Sequence, residues 1–175
     1  MGTLLVSRST VRAAIVSYLQ GAGITSLSTV KPFPAKFTPE MEFYAGEDPG
    51  TQDGCIIYTF ISKESERRIA LGGPHSGKKA VEYEFVLDCF FRSTKRKTED
   101  VGVDNEAFLD SLVTAIRADR TAGAPDIIFQ WGEGVFPGSS DIDITSYYPR
   151  SLNGAASATQ VFSSVRVSVI EILNT

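Results

Sequence analysis

Hydrophobic positions recur along this chain with two periods, and the period changes mark its elements. Over 9–20, Val11, Ala14, Ile15, Tyr18 and Leu19 fall at the spacing of one helical face. Ser7 or Ser9 suits the helix start, and Gly21-Ala-Gly23 supplies the stop. A short strand is expected over 28–31. Further on, over 79–91, Val81, Tyr83, Phe85, Leu87, Cys89 and Phe91 alternate with Ala80, Glu82, Glu84, Val86, Asp88 and Phe90. A period of two is strand behaviour. The run over 55–63 is apolar on both faces, as a central strand would be, and 67–71 predicts a further strand. Gly72-Gly73-Pro74-His75-Ser76-Gly77 then turns the chain into an antiparallel hairpin.

A second helix is expected over 104–120, capped by Asp104, with Phe108, Leu109, Leu112, Val113 and Ile116 as its buried stripe and Gly123-Ala-Pro125 as its end. Strands follow over 127–131, 141–146 and 160–173. In the last, Val161, Val165, Val167 and Val169 share one face, and Gln160, Ser164, Arg166 and Ser168 the other. No repeat of 20–50 residues is present. The order helix, strands, helix, strands predicts an α+β fold, with a mostly antiparallel sheet and two helices packed on it. Its 175 residues fit one domain.

Two segments interrupt the periodicity. Residues 31–54 hold Pro32, Pro34, Pro39 and Pro49, which break any backbone ladder, together with Phe33, Phe37, Phe43 and Tyr44. An idle solvated loop seldom carries that many rings. Either the loop packs them on its own domain, or it docks on a neighbouring subunit. Residues 147–159 follow the pair Tyr147-Tyr148 and Arg150 with small residues, as a linker or arm would.

Composition and charge narrow the chemistry. Hydrophobic residues make up 42% and charged residues 22%, enough for a real core. A net charge of -4 argues against a dedicated nucleic-acid binder. No apolar run reaches the roughly 18–20 residues of a membrane span. The opening Met1-Gly-Thr-Leu-Leu-Val is short and weakly basic for a signal peptide, so a globular protein, intracellular at synthesis, is expected. One histidine and two cysteines cannot assemble a Cys/His zinc site without recruiting carboxylates. Cys55 and Cys89 each sit within a strand run, which suits small buried hydrophobes; a disulfide or a reactive thiol is the alternative.

Four motifs invite a chemical reading. Gly72 to Lys78 has the spacing of a phosphate-binding loop. Lys79, however, stands where a magnesium-binding hydroxyl belongs, and the next segment alternates as a strand. His75, at that turn, has no Gly-x-Ser-x-Gly elbow to serve and reads as a solvated turn residue. Glu82, Glu84 and Asp88 share a strand face. They suit acid–base or metal chemistry in principle, a wet sheet face more simply, and DNA repulsion if that face lines a channel. Arg92, Lys95, Arg96 and Lys97 form a basic cluster before Glu99-Asp100, either a polar connection or a contact for phosphate or an acidic partner. No catalytic, cofactor or metal assignment follows from these motifs, and a non-enzymatic role is expected.

The order of elements carries a resemblance. An opening helix Val11-Arg-Ala-Ala-Ile-Val-Ser-Tyr-Leu-Gln-Gly-Ala-Gly-Ile leads to Leu27-Ser-Thr-Val30, an aromatic Pro-rich stretch and a long hairpin. The helix Asn105-Glu-Ala-Phe-Leu-Asp-Ser-Leu-Val-Thr-Ala-Ile-Arg and closing strands follow. Over residues 11–173 this resembles the tail terminator (tail completion) proteins of long-tailed bacteriophages with noncontractile tails. The resemblance implies a virion protein, assembled in the host cytoplasm, that forms a homohexameric ring. Its partners would be further copies of itself, the major tail tube protein and the head–tail connector, with DNA passing through the lumen without sequence-specific binding. On that expectation Phe33, Phe37, Phe43, Tyr44, Tyr147, Tyr148 and Arg150 are candidate subunit contacts. Arg92, Lys95, Arg96, Lys97, Glu82 and Glu84 are then a candidate charged contact surface. Another head–tail joining or tail-tube subunit is the nearest alternative, and a small α+β enzyme or ligand-binding domain the more distant one.

Overall fold

The computed structural model describes residues 8–33, 54–70, 77–93, 98–124, 129–136, 139, 141–147 and 159–174. The fold is α+β, with a mixed sheet that is mostly antiparallel. The first helix, α1 (Arg8–Gly21), buries Val11, Ile15 and Leu19 on one stripe. Strand β1 (Leu27–Lys31) pairs parallel with β2 (Gly54–Ala70), and β2 pairs antiparallel with β3 (Lys78–Ser93). The second helix, α2 (Thr98–Ala118), is followed by β4 (Phe129–Gly132), β5 (Asp143–Tyr147) and β6 (Thr159–Asn174). The sheet runs β1-β2-β3-β6-β4, and β5 pairs with the first half of β6 while β4 pairs with the second.

Both helices lie on one face of this sheet. Val11, Ile15 and Leu19 of α1 and Val101, Phe108, Leu112 and Ile116 of α2 join one core with Cys55, Ile57, Phe85, Leu87, Cys89, Val165, Val167 and Val169. That face comprises the alternation expected for β3 and β6.

Three expectations need correction. The runs over 55–63 and 67–71 are parts of one strand, β2, because the charged residues between them are ladder positions opposite β3 rather than a break. Helix α2 starts at Thr98, not at Asp104. Glu99 and Asp100 occupy its first turn, where carboxylates are favoured, and buried Val101 extends the apolar stripe back by one turn. Val113 is only half-buried, and Asn105 and Ala115 take places on the buried stripe instead. Ser7, the alternative cap of α1, and the turn residues 71–76 with His75 lie outside the described residues.

The loop 31–54 re-enters the sheet at Gly54 for a steric reason. Its φ is +142°, a conformation L side chains rarely adopt. An added Cβ would lie 2.5 Å from Ser28 Oγ and 2.9 Å from Ser26 O. The next amide, Cys55 N–H, donates to Ser26 O at 2.7 Å, so β2 docks on β1 from its first residues.

The end of α2 is fastened as firmly. Asp119 accepts from Thr121 N and Thr121 Oγ1 with one carboxylate oxygen and from Gly123 N with the other. These bonds hold its carboxyl below the ordinary aspartate range. Trp131 Nε1–H donates to Asp119 O at 2.7 Å, and Tyr18 O–H donates to Ala115 O at 2.7 Å. The Tyr18 and Trp131 rings meet edge to face at 5.9 Å. Thus α1, α2 and β4 share one joint. Among the described residues, no helix is long and apolar enough to cross a membrane.

Candidate assembly surface

The sheet face opposite the helices carries a second, smaller apolar cluster of Ile56, Tyr58 and Phe90. Strand register extends it sideways. Phe90 stands opposite Ile56 on β2 and opposite Phe162 on β6, and Phe162 stands opposite Tyr147 on β5. The rings follow suit: Tyr58 to Phe90 at 5.4 Å edge to face, Phe90 to Phe162 at 4.8 Å, and Phe162 to Tyr147 at 6.2 Å. A row of four aromatic side chains therefore crosses four strands. It begins at the buried Tyr58, near the Lys31 ammonium, and ends at Tyr147, whose surface is 62% exposed.

Beyond the row this face is polar. Asp88 faces Ser164, and Arg166 faces Asp143. Burial pushes the Asp88 carboxyl up, against the opposing effects of the Ser164 hydrogen bond and the Arg166 charge. Glu82 is tied to Arg67 at 2.6 Å, and Glu84 accepts from the Ser62 hydroxyl. The carboxylates of this face are thus engaged, and the Glu82 side chain is only 16% exposed.

The residues singled out from sequence are distributed unevenly. Tyr147 ends the aromatic row. Phe33 is 59% exposed, with the Arg12 guanidinium 4.6 Å from its ring centroid. Arg92 does not belong to an exposed charged surface: it lies between Gly54 and Gln160 in the ladder and is 2% exposed. Phe37, Phe43, Tyr44, Lys95, Arg96, Lys97, Tyr148 and Arg150 lie outside the described residues. Sequence reading missed Tyr58 and Phe162 as partners of Phe90. Its signal was the alternation itself, which sets Phe90 on the carboxylate face and leaves Phe162 in phase with Gln160 and Ser164.

It also missed a buried carboxylate. Glu171 continues the phase of Val165, Val167 and Val169 and is fully buried, with Tyr83 O–H donating to its Oε2 at 2.8 Å. Among the described residues its Oε1 has no partner, and burial pushes its carboxyl up. The two thiols, Cys55 and Cys89, are free and buried on the core face. Burial pushes Cys55 well up, and the neighbouring Cys89 adds to it. Such a thiol is a poor nucleophile, since the reactive form is the thiolate. Among the described residues, no three of His, Cys, Asp and Glu gather to hold a metal ion.

The two sheet faces differ: α1 and α2 pack on one, and on the other an aromatic row runs from buried Tyr58 to exposed Tyr147. No protein-family model matches the chain, and no curated protein matches it.

Proposed function

We propose that this chain is a structural subunit of a long noncontractile phage tail, a tail terminator that self-associates into a ring of six. In this reading the ring caps the tail tube at its head-proximal end, meets the head–tail connector and lets DNA pass through its lumen. Support comes first from its order of elements, which resembles that family's. The observation that carries the reading furthest is the aromatic row on the sheet face away from α1 and α2, running from Tyr58 to the exposed Tyr147. Aromatic side chains at a surface are the residues interfaces use for most of their binding energy. A ring subunit also needs such a surface at a place its own helices leave open. Net negative charge suits a conduit that must not grip DNA.

The test is assembly. Size-exclusion chromatography with light scattering should give about six times the chain mass, and negative-stain images should show rings. Added to polymerising tail-tube subunits, the protein should cap tubes at a fixed end and stop their growth. A monomer at high micromolar concentration that leaves tube growth unchanged would overturn the proposal. Rings that join tubes to connectors without arresting growth would point to a neighbouring head–tail joining role instead.

A further inference from the structure

Among the described residues Glu171 is the only fully buried carboxylate, and ring assembly gives it no task. It lies on β6 between two strands of unequal hold. On one side, β3 keeps β6 in a ladder that runs from Lys78 opposite Asn174 to Ser93 opposite Thr159. On the other, β4 ends the sheet, is four residues long and begins at Phe129, directly opposite Glu171. The Trp131 N–H points away from β6 and donates to Arg120 O at 2.9 Å. Trp131, and with it Phe129 two residues back, therefore stands in a non-hydrogen-bonded pair, where facing side chains approach most closely. The buried Phe129 ring is thus the carboxyl's neighbour on the side of the weaker strand.

The charges around Glu171 are already spoken for. Tyr83 of β3 donates to its Oε2 at 2.8 Å, and its Oε1 has no partner among the described residues. Glu64 of β2, opposite Tyr83, is held by Arg8 of α1, and Arg12 of α1 rests on the Phe33 ring. Lys79 of β3 is held by Glu66 of β2. Helix α2 enters this core with apolar side chains, and its last-turn Arg117 is held by Glu133. An ionised carboxylate here loses its water and gains no cation, a state that proteins avoid by staying neutral or by admitting water. Burial accordingly raises the pKa of Glu171; the Tyr83 bond opposes the rise, and the Glu64 charge adds to it.

We propose that Glu171 is a proton-operated latch for β4: neutral, it lets Phe129 close the end of the core, and ionised, it draws in water and parts Phe129 from β6. Strand β4 is the one that yields, because it offers four residues of pairing against the sixteen of β3. The latch holds below the folded-state pKa of Glu171 and releases as pH rises through it. It needs no neighbouring subunit, so it stands or falls separately from the ring.

Trp131, the single tryptophan of the chain, reads the latch, since it is fully buried on β4 two residues from Phe129. Its emission and acrylamide quenching are followed in the full chain from pH 4 to pH 9, with far-UV circular dichroism alongside. As pH rises the parent should show one reversible red shift with stronger quenching, while the dichroism holds. Glu171→Gln should keep the buried spectrum throughout. Tyr83→Phe removes a bond that favours the ionised form, so the midpoint should move to higher pH. Glu64→Gln removes a like charge, so the midpoint should move to lower pH. These opposite shifts decide the matter even if Glu171→Gln fails to fold. A transition that persists in a folded Glu171→Gln, midpoints that move the same way or not at all, dichroism lost together with the shift, or a flat parent spectrum would each overturn the proposal.

Discussion

Glu171 shows how a single residue can run against the pattern that places it. Its strand neighbours two and four positions back are core valines, and the period of two puts its carboxylate among them. Tyr83 satisfies one oxygen, and Glu64, which Arg8 pairs, adds a further negative charge nearby. Burial raises the folded-state pKa of Glu171 above its unfolded value. The folded protein therefore holds this proton to higher pH than the unfolded chain does. Its contribution to stability is complete below the unfolded value and is lost as pH rises through the folded one. Glu171→Gln keeps an acceptor for Tyr83 and removes the charge. At pH 8 it should stabilise the protein by about 1 kcal/mol, the scale of one buried polar atom's mismatch. At pH 4 the gain should vanish. Urea denaturation at both pH values reads this; a variant destabilised equally at both would mean that the carboxylate is ionised and held by contacts worth more than its burial costs. The valine phase made the position of Glu171 legible in the sequence, but its partner Tyr83 was not, because that pairing depends on the register between β3 and β6. Arg92 misled for the same reason: four nearby cations read as one exposed run, while the ladder takes Arg92 inside.

At the scale of elements, period and punctuation were legible where they agreed, and misleading where charge stood in for a loop. The alternation in β3 and the stripe of α1 survive intact, since each follows from side-chain geometry alone. The long edge of β2 did not read as one strand, because Lys63, Glu64, Glu66, Arg67 and Arg68 look like a connection. Such residues are what a strand edge needs to avoid pairing with other chains. Two glycines test how firmly the element ends are set. Gly54→Ala forces a side chain into a positive-φ position against the Ser26 carbonyl, and should cost about 2–5 kcal/mol. Gly21→Ala, at the last residue of α1 with open space around it, should be neutral or stabilise by up to about 1 kcal/mol. Thermal melts of the two variants should separate clearly. Similar melting temperatures would show that β2 can begin without the Gly54 turn.

For the whole molecule, the decisive feature is the asymmetry between the two sheet faces. One is covered by α1 and α2, and its side chains explain stability. The other brings Tyr58, Phe90, Phe162 and Tyr147 into a row, although the four residues come from four strands spread over 105 positions of sequence. No local pattern announces such a row; it exists only once β6 has paired with both β3 and β5. Tyr147 is the member whose removal separates folding from association. It is 62% exposed, so Tyr147→Ala should leave chain stability within about 0.5 kcal/mol. At an interface, losing a tyrosine of this kind costs on the order of 2 kcal/mol or more per contact. In the proposed closed ring that loss would recur at every subunit boundary, so assembly should collapse over a narrow concentration range. Light scattering across a dilution series should then show the variant as a folded monomer where the parent protein holds its full mass. Phe162→Ala gives the complementary outcome, because Phe162 lies half-buried between Phe90 and Tyr147 and its loss should lower both the melting temperature and the mass. A Tyr147→Ala protein that assembles as the parent does would move the subunit contact off this face.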